Sequence, residues 1–274
     1  MQMKSETQVK EHRVSALKLY LHYISIQIRS MMQYKKSFFM TMFGQFLTSF
    51  NAFIGIHFLF LRFHSIEDYS YSDVLLCVSI VLMDFSLAEC IARGFDSFPK
   101  IVRQGGFDRI MTRPRNEILQ VLGSHFELTR IGRMIQGAIV FIYGTTHAGI
   151  EWNFVRVLTV IFMLIGGTGV FCGIFLINAA LCFFTLEGLE VINIFTDGAR
   201  EYGAYPIDVY GKRMMRFCTF VIPYSLVQVY PLKFLTGRSD NILYALLPLA
   251  ALLFLIPGYV FWRFGVRKYT SSGS

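Results

Sequence analysis

The sequence predicts an all-α integral membrane protein with six transmembrane helices. Hydrophobic residues make up 54% of the 274 positions and charged residues only 16%. Soluble domains contain fewer apolar and more charged residues than this. Four segments, 37–61, 134–150, 157–186 and 241–262, contain no Asp, Glu, Lys or Arg. Because about 20 apolar helical residues cross the roughly 30 Å of hydrocarbon in a bilayer, these segments predict membrane spans within a single transmembrane domain, 1–274.

The N-terminal residues 1–36 are predicted to form a cytoplasmic amphipathic helix before the first span, 37–61. Apolar residues from Val14 to Met31 recur every three or four positions, which places them on one helical face, and basic residues occupy the remainder. Such a helix lies in the headgroup region with its basic side towards anionic lipid. A partner-facing or coiled-coil helix is the alternative.

The next spans are predicted at 72–92, 128–150 and 156–184, and the last at 242–262. Asp84 and Glu89 interrupt the second span, 72–92. Small residues let neighbouring helices approach closely, and the fourth span contains several of them: Gly166, Gly167, Gly169 and Gly173.

Basic residues set the predicted orientation. The N-terminal segment, the loop that starts at 93 and the C-terminal end are rich in Lys and Arg, so the positive-inside rule places all three in the cytoplasm. Two cytoplasmic ends require an even number of spans, and the spans named so far number five. Two segments compete for the sixth: 186–204, which is long enough but charged, and about 212–232, which is apolar but interrupted by Pro223.

Several other classes of protein are not indicated. The net charge of +8 reflects basic residues at the predicted cytoplasmic face, so nucleic-acid binding is not predicted. The histidines lack metal-ligand spacing, and no catalytic triad or paired-carboxylate arrangement has local sequence support. A phosphate-binding Gly-x-x-x-x-Gly-Lys-(Ser/Thr) loop is also missing from the sequence, so the chain is expected to bind no cofactor and to hydrolyse no ATP itself.

Three stretches of sequence resemble a known family. The first runs from Gln104 to Pro114 with the sequence QGGFDRIMTRP, the second is YPIDVY at 205–210, and the third is Phe220-x-Ile-Pro with a Tyr-Pro pair at 230–231. The first is similar to the pattern G-x-(L/F)-D-x-(L/I)-(L/M)-x-R-P, found in the cytoplasmic loop after the second span of type-2 ABC exporter permeases. With the order of spans, these stretches resemble the bacterial six-span branch of that family.

The resemblance implies a polar fifth span at 186–204 and an external, partly re-entrant segment at 205–241. Lys212, Arg213 and Arg216 would then lie outside, against the positive-inside rule. It also implies two copies of a partner ABC ATPase, which bind ATP and Mg, and a second permease chain, identical or paralogous. The implied location is the bacterial cytoplasmic membrane, with bound lipid and both termini in the cytoplasm.

The loop at 93–127 is predicted to contact that ATPase. A short, basic, helical segment between two spans would transmit closure of the ATPase into a tilt of the spans. An ordinary basic loop that binds anionic lipid is the alternative. The predicted coupling residues are Arg103, Phe107, Asp108, Arg109, Arg113 and Pro114.

A substrate path is predicted among the charged and aromatic residues of the spans. The candidates are Asp84, Glu89, Asp197, Arg200, Phe46 and Phe53. Asp84 and Glu89 have a structural alternative, which is interhelical ion pairing with Arg130, Arg133 or Arg200.

The leading function is ATP-driven export of an amphiphilic or hydrophobic cargo through a permease-dimer interface by alternating access. The alternative is a proton-coupled secondary transporter that uses Asp84 or Glu89 as the proton carrier. A membrane-embedded enzyme acting on lipid would need converging polar residues at one interface, and the sequence shows no such cluster.

Overall fold

The computed structural model describes residues 15–63, 65–185 and 193–270, which are helical and form no strand beyond an isolated β-bridge between Ile66 and Tyr69. The α-helices in chain order are α1 (Ala16–Met31), α2 (Lys35–Thr48), α3 (Phe50–Arg62), α4 (Tyr71–Asp96), α5 (Phe98–Arg103), α6 (Gly106–Met111), α7 (Glu117–Leu122), α8 (Ile131–His147), α9 (Phe154–Thr185), α10 (Asp197–Tyr202), α11 (Lys212–Phe220), α12 (Tyr224–Val227), α13 (Val229–Leu235), α14 (Leu243–Ala251) and α15 (Leu255–Lys268).

The first three helices follow one another without a loop. Together they give an apolar stretch, Lys18–Arg62, of 45 residues. At 1.5 Å per residue this is about 67 Å, so part of it must lie outside the hydrocarbon. The α1 helix rests on the last third of α4 and on the turn after α7, because Tyr20 donates to the Ile91 carbonyl and Gln27 to the Ser124 carbonyl, each at 3.0 Å. Residues 1–14 lie outside the described residues, and the interfacial position of this helix stays a prediction.

A buried side chain from α8 occupies the break between α2 and α3. With the Gln136 amide oriented to satisfy both of its polar atoms, Nε2 donates to the Phe46 carbonyl at 2.6 Å and Oε1 accepts from the Phe50 N–H at 3.0 Å. In a continuous helix that N–H and that carbonyl would bond to each other. An inserted side chain therefore replaces one bond of the helix ladder at Ser49.

The α4 helix is the centre of the fold and packs mainly against α8 and α9. It begins with a capping box, in which the Ser70 hydroxyl accepts from the Asp73 N–H and the Asp73 carboxylate accepts from the Ser70 N–H. Nearly all of its side chains are buried. Close contact with α8 requires Gly137, where a Cβ atom would lie 2.8 Å from Met83 Cγ.

The glycines of α9 confirm the prediction that they admit close helix neighbours. A Cβ atom on Gly166 would lie 2.2 Å from the Pro248 carbonyl oxygen, and one on Gly173 would lie 2.8 Å from the Phe254 ring. These residues face the last helical segment, α14–α15. Gly167 instead faces α4, where a Cβ atom would lie 1.9 Å from an oxygen of Asp84.

Within the described ranges, four helical segments are long and apolar enough to cross a membrane: Lys18–Arg62, Tyr71–Arg103, Phe154–Thr185 and Leu243–Lys268. The third predicted span, 128–150, corresponds to α8, whose 17 residues reach about 26 Å. A further candidate consists of α11 followed by α12–α13, which meet at a bend of 87°. The chain is thus an all-helical, multi-pass membrane protein, while the count of six spans stays a prediction.

The predicted fifth span, 186–204, is only partly described. Residues 186–192 lie outside the described residues, and from 193 to 204 the chain forms turns and the six-residue helix α10 rather than the second half of a long helix. The competing segment near 212–232 is the bent pair, which forms either a broken span or a re-entrant loop. The structure therefore does not choose between the two.

Candidate functional site

A buried carboxylate joins α4 to the start of α8. Glu89 contacts three guanidinium groups, from Arg93 at 3.2 Å, Arg130 at 3.2 Å and Arg133 at 2.7 Å. The Glu89 side chain is 5% exposed, and the side chains of Arg130 and Arg133 are 11% and 12% exposed. We call these four residues the Glu89 cluster.

The Glu89 cluster continues towards the end of α4. Arg93 also contacts Asp96 at 2.7 Å and Glu127 at 3.7 Å. His125 and Thr129 hydrogen-bond to Glu127, and with the nearby arginines they lower the pKa of the Glu127 carboxyl to about 2, although burial opposes this. The Glu127 carboxylate therefore stays ionised at physiological pH.

The charges inside the Glu89 cluster do not balance locally. Arg93 has Asp96 and Glu127 as additional partners, whereas Glu89 is the ion-pair partner that the described residues give to both Arg130 and Arg133. Burying a guanidinium without a full counter-charge is costly. Arg130 reduces this cost by donating to the Gln45 side chain at 2.9 Å.

Asp84 behaves differently from Glu89. The predicted alternative of interhelical ion pairing is confirmed for Glu89 and is wrong for Asp84. Asp84 is 1% exposed, and the described residues give its Oδ1 atom no hydrogen-bond partner. It packs against Gly167 and lines a small cavity beside Tyr224 and Gln228. An isolated buried carboxylate is strongly disfavoured, so this position favours a neutral carboxyl group.

A cavity of about 420 Å³ lies between the break at Ser49, the middle of α4 and the start of α8. We call it the Arg133 cavity. Its polar lining comes from α2, α3, α8 and α10: Gln45, Thr48, Ser49, Asn51, Arg133 and Arg200. Glu201 also lines it and pairs with Arg200 at 2.7 Å.

Of the other predicted substrate-path residues, Arg200 lines this cavity, whereas Asp197, Phe46 and Phe53 are not part of its lining. Asp197 is exposed at the start of α10, and Arg200 lies over the Phe85 ring at 5.8 Å. Phe46 packs edge-on against the Phe50 ring, whereas Phe53 is buried against α4. Their proposed contact with a cargo stays a prediction.

The predicted coupling loop presents a basic surface. Arg103, Arg109, Arg113 and Pro114 are exposed, and Asp108 is half-buried. The loop after α6 is held by Gln120 of α7, whose side-chain amide donates to the Ile110 and Arg115 carbonyls at 3.1 Å each. We call the segment from α5 to residue 116 the basic loop.

Phe107 is the exception among the predicted coupling residues, because it is fully buried. Its side chain is therefore an anchor and not a contact surface. It belongs to an aromatic cluster with ring centroids 5–6 Å apart, which joins the basic loop to the ends of α9 and α15: Phe98, Phe107, Phe183, Trp262 and Tyr269.

A second ion network lies at the opposite end of α4. Asp208 accepts a hydrogen bond from Tyr69 at 2.7 Å and contacts Lys233 at 2.6 Å, while Arg238 pairs with Asp73 at 2.5 Å and stacks over the Tyr69 ring. Burial and the Asp208 hydrogen bond raise the Tyr69 pKa. This network ties the α3–α4 connection to the 205–241 segment.

Sequence reasoning missed the polar residues of the first predicted span. The segment was identified as a span because it contains no charged residue, and the uncharged polar residues Gln45, Thr48 and Asn51 do not change that assignment. In the structure they line the Arg133 cavity together. Gln228 was missed as well, although it is buried and holds the turn at 203–207 through three backbone hydrogen bonds. The available signal was a side-chain amide or hydroxyl group in segments that otherwise favour apolar side chains.

Comparison with protein families gives one match. A family model described as ABC-2 family transporter protein matches residues 46–273. The match covers the Glu89 cluster, the basic loop and the 205–241 segment. Searches of curated proteins and of solved structures found no match.

Proposed function

The chain belongs to the ABC-2 transporter family, and we propose that it exports an amphiphilic or hydrophobic cargo with energy supplied by an ATPase bound to the basic loop. As a member of that family it is the membrane permease of an ABC transporter. The observation that carries the finer proposal is the basic loop, which exposes arginines and is anchored through Phe107 to the ends of two long helices.

The anchoring supplies a mechanical link. A push on the exposed side of α6 acts on Phe107, whose ring contacts Phe183 of α9 and Trp262 of α15. Because packed aromatic groups yield little, the force moves the helix ends rather than the loop alone. The same loop continues from α4, which carries the Glu89 cluster.

In this proposal the ATPase, in two copies, binds ATP and Mg, and this chain binds neither. A second permease chain, identical or paralogous, completes the pathway by alternating access. The exposed apolar side of α2 and α3 supports such a pairing or lipid contact: Phe39, Met40, Phe43, Leu47, Ile54 and Phe58. Both termini and the basic loop face the cytoplasm of a bacterial cell in this arrangement.

The test reverses two charges. Tagged protein carrying Arg109→Glu and Arg113→Glu is purified from membranes that also contain the cognate ATPase, and the amount of ATPase recovered is measured. We expect a loss of at least about ten-fold, because like charges replace attractive ones at a complementary interface. Arg213→Glu with Arg216→Glu on α11 provides a matched control at the predicted external side.

Normal recovery of the ATPase and normal ATP-dependent transport by the basic-loop variant would refute the proposal. Equal losses in the loop variant and in the α11 control would also contradict it, because the α11 pair is placed on the opposite side of the membrane.

A second candidate is a proton-coupled transporter, and the observation that favours it is the buried Asp84, whose Oδ1 has no hydrogen-bond partner among the described residues. It predicts transport into vesicles that lack any ATPase, driven by a pH gradient and abolished by Asp84→Asn. Transport that requires ATP and survives Asp84→Asn would exclude this candidate.

A further inference from the structure

We propose that the Arg133 cavity binds the anionic head group of an amphiphile. The claim that the bound amphiphile is the cargo deepens the proposed function and rests on it. The claim that the cavity binds an anionic head group does not rest on it. The donor set gives the chemistry, because guanidinium, amide and hydroxyl groups converge on one space of about 420 Å³. Phosphate and carboxylate groups are the ligands that such donors recognise.

Arg133 has donor capacity left for a ligand. A guanidinium has five N–H groups, and the described contacts of Arg133 use Nη1, which bonds to Glu89. Its Nε–H is fully buried, so the donors left for a ligand are the remaining N–H groups on Nη1 and Nη2. Arg133 and Arg130 share Glu89 as their ion-pair partner among the described residues, so an anion in the cavity would give Arg133 a second counter-charge.

Polar side chains opposite Arg133 complete the site. Gln45 is already held by Arg130, while Thr48 and Asn51 are exposed on α2 and α3 beside the break at Ser49. The break turns these residues into a polar patch within an otherwise apolar segment. This patch faces the start of α8, so a head group would lie between the two.

The surroundings favour a ligand that also has an apolar part. On the first helical segment Leu47 and Phe50 are exposed beside the polar patch, and Val78 and Leu82 line the cavity from α4. An acyl chain attached to the head group would bury apolar surface here, which a free inorganic anion would not do. Glu201 is the opposing feature, but it lies at the rim and is paired with Arg200.

The test measures lipid binding to the permease alone. Purified protein is titrated by native mass spectrometry with phosphatidylglycerol and with phosphatidylcholine of the same chains, and inorganic phosphate is tested as a competitor. We expect phosphatidylglycerol to bind at least ten-fold more tightly. Arg133→Gln should remove this preference, and Arg263→Gln, which removes an arginine outside the cavity, should leave it unchanged.

A second variant keeps the test valid if Arg133→Gln fails to fold. Thr48→Val with Asn51→Leu leaves the Glu89 cluster intact and should weaken phosphatidylglycerol binding about three- to ten-fold. Equal affinity for both lipids, an unchanged preference in the folded variants, or stronger binding of a cationic amphiphile would overturn the proposal. If inorganic phosphate bound as tightly as the lipid, the acyl chains would add no affinity, and the ligand would be a free anion rather than an amphiphile.

The two proposals fail separately. Lipid binding is measured without an ATPase, so loss of head-group preference with normal ATPase recovery would reject this site and leave the proposed function intact. A retained head-group preference in a protein that recovers no ATPase would reject the proposed function and leave this site intact.

Discussion

Substitution of Glu89 by glutamine is the most informative perturbation of this protein. The exchange keeps the size of the side chain and removes the carboxylate charge that Arg93, Arg130 and Arg133 share. Arg93 retains Asp96 and Glu127 as partners, so the loss falls on the two guanidinium groups of α8 and the turn before it. Both would then be buried without an ion-pair partner among the residues that the structure describes.

The expected cost follows from that burial. Removing one partner of a buried ion pair costs about 3–5 kcal/mol, because the remaining charge stays desolvated. For proteins of this size one kcal/mol corresponds to roughly 2–4 °C, so the midpoint of thermal unfolding should fall by about 6–20 °C. Glu117→Gln is the matched control, because Glu117 pairs with Arg263, whose side chain is 46% exposed. An exposed pair contributes about 0–1 kcal/mol, which predicts a loss of at most about 4 °C.

The assay is thermal unfolding of each purified variant in the same detergent. Combining Glu89→Gln with Arg133→Gln should recover about 1 kcal/mol or more relative to Glu89→Gln alone, since one unpaired charge is removed with the carboxylate. An unfolding midpoint of Glu89→Gln within about 2 °C of the parent would refute the reasoning. Simple additivity of the two substitutions would refute it as well.

Two further predictions concern packing and pH. Gly166→Ala should destabilise the protein by about 1–3 kcal/mol, because the new Cβ would lie 2.2 Å from the Pro248 carbonyl oxygen. Gly44→Ala is the control, because a Cβ at Gly44 would have no atom within 4 Å, and it should be neutral or stabilising by up to about 1 kcal/mol. The two midpoints of thermal unfolding in detergent decide this, and equal effects would contradict it. The lowered pKa of Glu127, to about 2 from 4.5, gives stability that is present above pH 4.5 and is lost as the pH falls towards 2. Glu127→Gln should therefore flatten the dependence of the unfolding midpoint on pH between about 5 and 3, and an unchanged slope would show that Glu127 is not its source.

Local pattern was sufficient for the long helices but not for the segment between 184 and 240. The α4 and α9 helices are continuous apolar runs, and α9 shows its packing face through its glycines, so both were predicted close to their observed bounds. The bend between α11 and α12 lies at Pro223, and beyond it Gln228 bonds to the distant backbone at 203–207. Hydropathy cannot describe a segment whose polar groups are satisfied by distant residues.

The candidate sites show the same division. The exposure of Arg109 and Arg113 agrees with their position in a short basic loop, which is a property of neighbouring residues in sequence. Phe107 lies in the same motif, and only the structure shows that it is buried, because the residues that cover it come from α9 and α15.

The amino-acid sequence by itself determined that this chain is a helical membrane protein with a basic loop after its second long helix, since apolar length and charge position are local quantities. Tertiary structure alone decided that Glu89 is paired and that Asp84 has no ion pair with any described residue, although both interrupt the same helix. It also decided that Gln45 and Asn51 meet Arg133 around one cavity. The physical reason is that a buried charge or amide is governed by which distant groups approach within hydrogen-bonding range, and helix packing sets those distances.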